Sequence, residues 1–253
     1  MAAKYVYAKM TRTGLCNKLF PWARAALYAK ETGALMIAPK WTDLMRVGPW
    51  IRREKYKRYY FNEFVNKRYA SRLWGLRTNH VAEKVLGVRV FTGIKDLFGP
   101  FLHEQAFINQ ELRRITNPVL LAAAESIGKV PFIGVHIRRG DFVTIKKALP
   151  DEWYLSAIKK AYDVVGEMPV KIFSDASADS LAGIAGKIKD AVIMPVAPAM
   201  QDIFTLACAK AMVCTADSTF SMWPVFLGQM ASFWPKDAVI PRLYVNGTAP
   251  ILV

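Results

Sequence analysis

Residues 131–142 read PFIGVHIRRGDF. PFIGVHI is a continuous apolar run of strand length, broken only by His136, and it leads directly into Arg138, Arg139 and Asp141. A strand that is apolar on both sides belongs in a sheet covered on both faces, which is the setting of parallel strands. Its charged end must meet water or an anion, because a guanidinium stays charged at every physiological pH.

Outward from this stretch the same pattern repeats. DEWYLSAIKKAYDVV (151–165) is an amphipathic helix that Asp151 can cap, and VKIFS (170–174) is a strand. ADSLAGIAGKI follows as a weaker helix, then strand AVIMP (191–195), helix MQDIFTLACAKA (200–211) and strand MVCT (212–215). STFSMWPVFLG opens another helix, and ASFWP (231–235) reads as the last short strand. Asp202, early in its helix, suits the positive end of the helix dipole. Apolar strands alternating with helices predict a parallel sheet with both faces covered.

The N-terminal part is a smaller version of this pattern. KYVYAKM (4–10) is a strand and TRTGL a turn. From Asn17 to about Thr32, Leu19, Phe20, Ala23, Leu27 and Tyr28 recur at helical spacing, with Gly33 as the stop. ALMIAP (34–39) is a second strand. NPVLLAAAESIG is helical to Gly128, and the GKVP that follows marks a boundary between domains 1–128 and 129–253.

The chain has 253 residues, enough for two small α/β domains, and its 53% apolar content excludes disorder. Lys210 and Asp217 interrupt the most apolar candidate span, 203–235, and the N-terminus lacks the apolar core of a secretory signal. A cytoplasmic setting is therefore expected. Three cysteines, Cys16, Cys208 and Cys214, lack the spacing of a disulfide framework or a zinc site. The net charge of +15 is concentrated between Arg46 and Arg89, where Trp50, Tyr56, Tyr59, Tyr60, Phe61, Phe64, Tyr69 and Trp74 are interleaved with the basic residues. Such a segment suits an anionic membrane surface, an acidic glycan or nucleic acid, and equally a solvated basic face with its aromatics turned inward.

Ligands of open parallel sheets bind beyond the carboxyl ends of the strands. Three such ends carry candidates. In HIRRGD (136–141) one arginine can hold a diphosphate while Asp141 pairs with the other, or the charges can simply order the loop. Asp175, after VKIFS, can accept two hydrogen bonds from a guanine edge, or cap the next helix. After MVCT, Ser218 and Thr219 begin a helix whose free N–H groups suit an anion, although Asp217 or Ser218 can instead serve as an ordinary cap.

Together these residues resemble the α-1,2-fucosyltransferases and, more distantly, the α-1,6- and protein O-fucosyltransferases, which share a His-x-Arg-Arg-x-Asp signature. HIRRGD fits it at every fixed position. TGLCNKLFPWARAALYAK is similar to the family's N-terminal Gly-Leu-Gly-Asn-Gln segment, IFSDA to its Phe-Ser-Asp-Asp, and DIFTLACAKAMVCTADSTFSMW to its Asp-Leu…Cys…Asn-Ser-Thr-Phe-Ser segment. The match covers most of residues 11–40 and 130–235 and little of 41–120.

The resemblance implies a GT-B-like α/β fold: two Rossmann-type domains whose parallel sheets face a cleft, the C-terminal one binding GDP-fucose. It implies that Arg138 contacts the diphosphate and His136 the nucleotide beside it, that Asp175 reads guanine, and that Ser218, Thr219 and Phe220 hold the β-phosphate. Gly14 and Asn17 are implied at the sugar. The reaction is expected to invert the sugar carbon, with a glycan hydroxyl as acceptor. Asp141 is the candidate general base. The chain contains no Asp-x-Asp, so no metal is expected. The basic segment points to an acidic or lipid-linked glycan acceptor and a peripheral membrane contact. Another GDP-sugar donor or linkage is the alternative; a nucleic-acid or anionic-surface binding protein is the alternative of another class.

The chain also departs from the pattern. Cys16 stands for a glycine, Lys18 for a glutamine, Ala176 for the second aspartate, Asp217 for the usual asparagine and Met222 for an aromatic residue. These leave the nucleotide assignment intact and bear on sugar and linkage. His80 and His103 lie in the unmatched segment and are expected in ordinary surface or core roles. Asn246-Gly-Thr is a formal glycosylation sequon, without meaning if the protein never enters a secretory pathway.

Overall fold

The structure, a computed structural model, describes residues 3–10, 13–41, 60–65, 69, 87–144, 147–246 and 249–253. Two compact units divide the chain, Met1–Pro118 and Val119–Val253. This division precedes the boundary expected at Gly128. The intervening helix packs with the second unit, where a Cβ on Gly128 would lie 2.7 Å from that of Cys208.

In the first unit, strand β1 (Tyr5–Lys9) is central, paired in parallel with β2 (Leu35–Ile37) and β3 (Val88–Thr92). Helix α1 (Leu15–Thr32) crosses from β1 to β2 and buries Leu15, Leu19, Phe20, Trp22, Ala23 and Leu27, a face with the 3.6-residue period of the sequence. It ends where Gly33 adopts a left-handed conformation (φ 71°) and donates its N–H to Ala29, a geometry that costs glycine least. Strand β3 escaped the sequence reading, which named no strand between ALMIAP (34–39) and PFIGVHI (131–137). VRVFT is half-exposed on both sides and has no apolar run to announce it. A 3-10 turn (Gly99–Glu104) and helix α2 (Gln105–Ile115) close the unit. The Phe98 ring meets Phe20 edge-on at 4.9 Å. Arg24 ties α1 to the turn after β3 by donating to the carbonyls of Thr92 (2.9 Å), Gly93 and Lys95 (3.3 Å).

The second unit begins with α3 (Pro118–Gly128) and continues β4 (Ile133–Ile137), α4 (Gly140–Thr144) and α5 (Asp151–Val165). Next come β5 (Val170–Ser174), α6 (Ala178–Ala185), β6 (Ala191–Ile193), α7 (Ala199–Ala207) and β7 (Ala211–Val213). Helix α8 (Thr219–Gly228), β8 (Ala231–Trp234) and β9 (Ile251–Leu252) complete it. All six strands are parallel, in the order β6-β5-β4-β7-β8-β9. Counted from β4 this is the 3-2-1-4-5-6 order of dinucleotide-binding sheets. ASFWP is thus not the last strand: β9 pairs beside it at the edge.

Strand β4 is buried on both faces, as its continuous apolar run requires. Ile133, Val135 and Ile137 pack with Tyr154, Ala157, Ile158 and Ala161 of α5 and Leu181 of α6. On the opposite face Gly134 lets α7 close on the sheet, since a Cβ there would lie 2.7 Å from Leu206 Cδ2. Burying such a face contributes roughly 25 cal/mol per Å² of apolar surface.

Candidate active site

The chain leaves β4 toward β5 and β6 on one side and reaches β7, β8 and β9 on the other, so the order reverses between β4 and β7. A crevice at the carboxyl ends of these two strands is where an open parallel sheet binds its ligand. His136, Arg138, Thr215 and the start of α8 all belong to those ends.

A buried polar network forms the floor. His136 is 4% exposed, with Nδ1 2.8 Å from Ser221 Oγ and its ring 4.9 Å from that of Phe220. Burial, reinforced by the Arg138 charge, pushes its pKa down to about 3, so the ring is neutral at physiological pH. Thr215 donates its hydroxyl to the His136 carbonyl (2.7 Å) and accepts from the Arg138 N–H (3.2 Å). Its one hydroxyl hydrogen being used, Tyr154 must be the donor across the 2.9 Å separating the two hydroxyls. The phenol can do so, because burial pushes its pKa up to about 12. Thr215 N–H reaches Ser221 Oγ at 3.1 Å. Burial likewise raises the Cys214 thiol, which makes it inert.

Above the floor the two arginines separate. Arg138 Nη1 lies 3.1 Å from Asp175 Oδ2, each side chain 29% exposed, and its guanidinium carbon is 5.8 Å from the Phe142 ring centroid. Arg139 turns away, to the Leu149 carbonyl (3.0 Å) and the Asp151 carboxylate. Asp151 therefore does not cap α5. Pro150 holds the cap position, and Asp151, the first helical residue, holds Arg139 instead. Asp175, expected at guanine, engages its own chain: Oδ1 accepts from Arg139 N–H (2.9 Å) and Gly140 N–H (3.2 Å) while Oδ2 faces Arg138. The β4–β5 register, Ile137 opposite Ser174, sets these residues side by side. A Cβ on Gly140 would come within 2.3 Å of Asp175 Oδ2.

At the third strand end Ser218 occupies the cap position of α8 without a side-chain cap bond, and its carbonyl accepts from Ser221 and Met222. Thr219 and Phe220 are the first helical residues, both half-buried. Asp217 sits in left-handed backbone (φ 55°), and its carboxylate pairs with Lys147 at 2.8 Å. Of the candidates, His136, Arg138, Asp175, Ser218, Thr219 and Phe220 lie at the ends of β4, β5 and β7. Asp141 is the second residue of α4, and its side chain lies outside the described residues. Gly14 and Asn17 belong to the first unit: Gly14 caps α1, and no described atom comes within 4 Å of the place a Cβ would take. Asn17 is half-buried in the first turn of α1.

Most of the basic aromatic segment, His80, and residues 247–248 of the sequon lie outside the described residues; His103 is exposed. Among the described residues no three His, Cys, Asp or Glu side chains gather as a metal would need, and no helix is long and apolar enough to cross a membrane. The sequence reading missed Tyr154, Thr215 and Ser221. The last two stand inside the quoted segment MVCTADSTFS, and small hydroxyl residues at a buried strand end were the available signal.

A Rossmann-ordered parallel sheet with an arginine and a helix start at its switch point is the plan of a nucleotide-binding α/β enzyme. The chain belongs to glycosyl transferase family 11, a family of fucosyltransferases, whose sequence model matches residues 49–233. The match takes in His136 through Phe220 and begins after the α1 segment. Among solved structures, fucosyltransferase NodZ from Bradyrhizobium is similar in fold: TM-score 0.56, 17% identity, covering 90% of this chain and 93% of that one. NodZ α-1,6-fucosyltransferase soaked with GDP-fucose gives TM-score 0.54 at 15% identity over 88% and 91%. POFUT1 in complex with GDP gives TM-score 0.57 at 13% identity over 92% and 98%. No curated protein matches by sequence.

Proposed function

We propose that the chain transfers L-fucose from GDP-fucose to a glycan hydroxyl, with inversion, without a metal and in α-1,2 linkage. The observation that carries the reading is the 3.2 Å bond from Arg138 N–H to Thr215 Oγ1, which ties the arginine-bearing turn to the strand end that leads into α8. An arginine and a helix start on adjacent strand ends suit a diphosphate. The similarity to NodZ and POFUT1 supports the donor, since those proteins were solved with GDP-fucose or GDP.

In the proposed step the acceptor oxygen attacks the anomeric carbon from the face opposite GDP. The carbon–oxygen bond to the β-phosphate breaks, and its electron pair leaves with GDP. Arg138 and the donors of Ser218, Thr219 and Phe220 stabilise the charge that develops there. The acceptor's proton passes to Asp141. His136, neutral and buried, packs beneath Phe220 and fixes the floor. Asp175 anchors the Arg138 turn and is assigned to the guanine edge, where its carboxylate retains acceptor capacity. Gly14 and Asn17 are assigned to the sugar. The basic segment 46–89 is assigned to an acidic or lipid-linked acceptor, which a cytoplasmic enzyme would meet at an anionic membrane surface.

Calorimetry with GDP tests the donor site: Arg138→Ala should weaken binding by about tenfold or more. Unchanged binding in that variant would overturn the assignment. Turnover with GDP-fucose against GDP-mannose decides the sugar, the anomeric form of the product decides inversion, and activity in excess EDTA decides the metal.

A further inference from the structure

Asp217 is a puzzle for the proposed site. It places a carboxylate immediately before Ser218, at the mouth of the helix start assigned to the β-phosphate, where the resembling family carries a neutral asparagine. An anion there repels a diphosphate. The structure contains an answer on the opposite wall. Lys147 Nζ lies 2.8 Å from Asp217 Oδ2, and Lys147 N–H donates to the Phe142 carbonyl at 2.8 Å. Phe142 in turn lies beneath the Arg138 guanidinium. The lysine thus stands on the same turn as the diphosphate arginine and reaches across to the start of α8. The left-handed backbone of Asp217 (φ 55°) belongs to the same arrangement.

We propose that Lys147 is a positioning residue of the donor site: a cation that neutralises Asp217 and keeps the mouth of α8 open to a nucleoside diphosphate. The inference rests on the GDP-sugar reading of the site. The pair is 54% and 46% exposed, so its contribution to folding is small. Its effect falls on a doubly charged ligand arriving beside it, where one uncompensated carboxylate matters most. The lysine and the aspartate also form a replaceable pair, because a neutral residue at 217 makes the lysine's compensation unnecessary.

The test is calorimetry of the full chain with GDP and with guanosine, on the unaltered protein, Lys147→Met, Asp217→Asn, the double variant and Arg138→Ala. Lys147→Met should weaken GDP binding about five- to tenfold, as screened charges at this range allow. Asp217→Asn should strengthen it, and the double variant should recover most of the loss. Guanosine, which carries no phosphate, should not distinguish Lys147→Met from the unaltered protein. The inference fails if Lys147→Met leaves GDP binding unchanged. It fails too if Asp217→Asn weakens binding, since the contact would then be a mechanical brace rather than a charge balance. No GDP binding by the unaltered protein would overturn the donor reading and this inference with it. Binding lost in Arg138→Ala but kept in Lys147→Met would overturn the inference alone.

Discussion

Each unit turns a parallel strand into a helix beside a glycine, and the two glycines do opposite things. Gly14 precedes α1 in ordinary extended backbone (φ −61°, ψ 166°), with no described atom within 4 Å of a would-be Cβ. Gly140 follows β4, and a Cβ there would be driven into Asp175 Oδ2 at 2.3 Å. The glycine of the second unit is needed by the protein's own packing. That of the first unit has no described neighbour to make room for. The difference teaches that glycines at two like strand–helix turns can answer to different demands, one of them set by a neighbouring side chain.

Three substitutions can break or sharpen this contrast. The largest effect is expected from Gly140→Ala. Asp175 Oδ2 must shift to make room, straining the pair with Arg138 and the bonds Oδ1 accepts from Arg139 and Gly140 N–H, which should cost about 2 kcal/mol and lower the melting temperature by about 5 °C. A melting curve unchanged from the natural protein would show that the carboxylate can step aside.

Next comes the floor of the same turn. His136 is held neutral with its pKa near 3, below the ordinary value of 6.5, so the unfolded chain binds a proton that the folded one refuses. The stability this confers is complete above pH 6.5 and is lost as the pH falls toward 3, at about 1.4 kcal/mol per pH unit. Denaturant titrations at pH 7 and pH 5 should show His136→Asn losing about one proton's worth less stability than the natural protein over that interval. Equal losses would mean the buried ring is charged.

The smallest effect is expected from Gly14→Ala, whose stability should stay within about 0.5 kcal/mol of the natural protein. Any larger loss would place a neighbour where none is described and remove the contrast with Gly140.

Strands β4 and β5 of the second unit were legible because their burial leaves mostly apolar runs: VKIFS coincides with β5, and PFIGVHI contains β4. Strand β3 was not, since VRVFT is half-exposed along its length, and β9 was not, being two residues of an edge. The membership of the site was legible in part. His136, Arg138, Asp175 and Ser218 are named by standing at strand ends. Their partners are not, because partnership is set by register across the sheet. Arg138 and Asp175 are far apart in sequence and meet only because Ile137 pairs with Ser174. Asp151 looked like a helix cap by local rules, and a distant arginine claimed it first.

The chain of hydroxyls beneath the arginines has a consequence in time. Tyr154 donates to Thr215, Thr215 to the His136 carbonyl, and the amides of Arg138 and Thr215 each donate to a side-chain oxygen of the same network. The network joins α5, β4, the end of β7 and α8, and no local fraying of one element frees it. Those two amides should therefore exchange their hydrogens with solvent only when the second unit unfolds as a whole, while the amide of Lys147, on an exposed turn, exchanges far sooner.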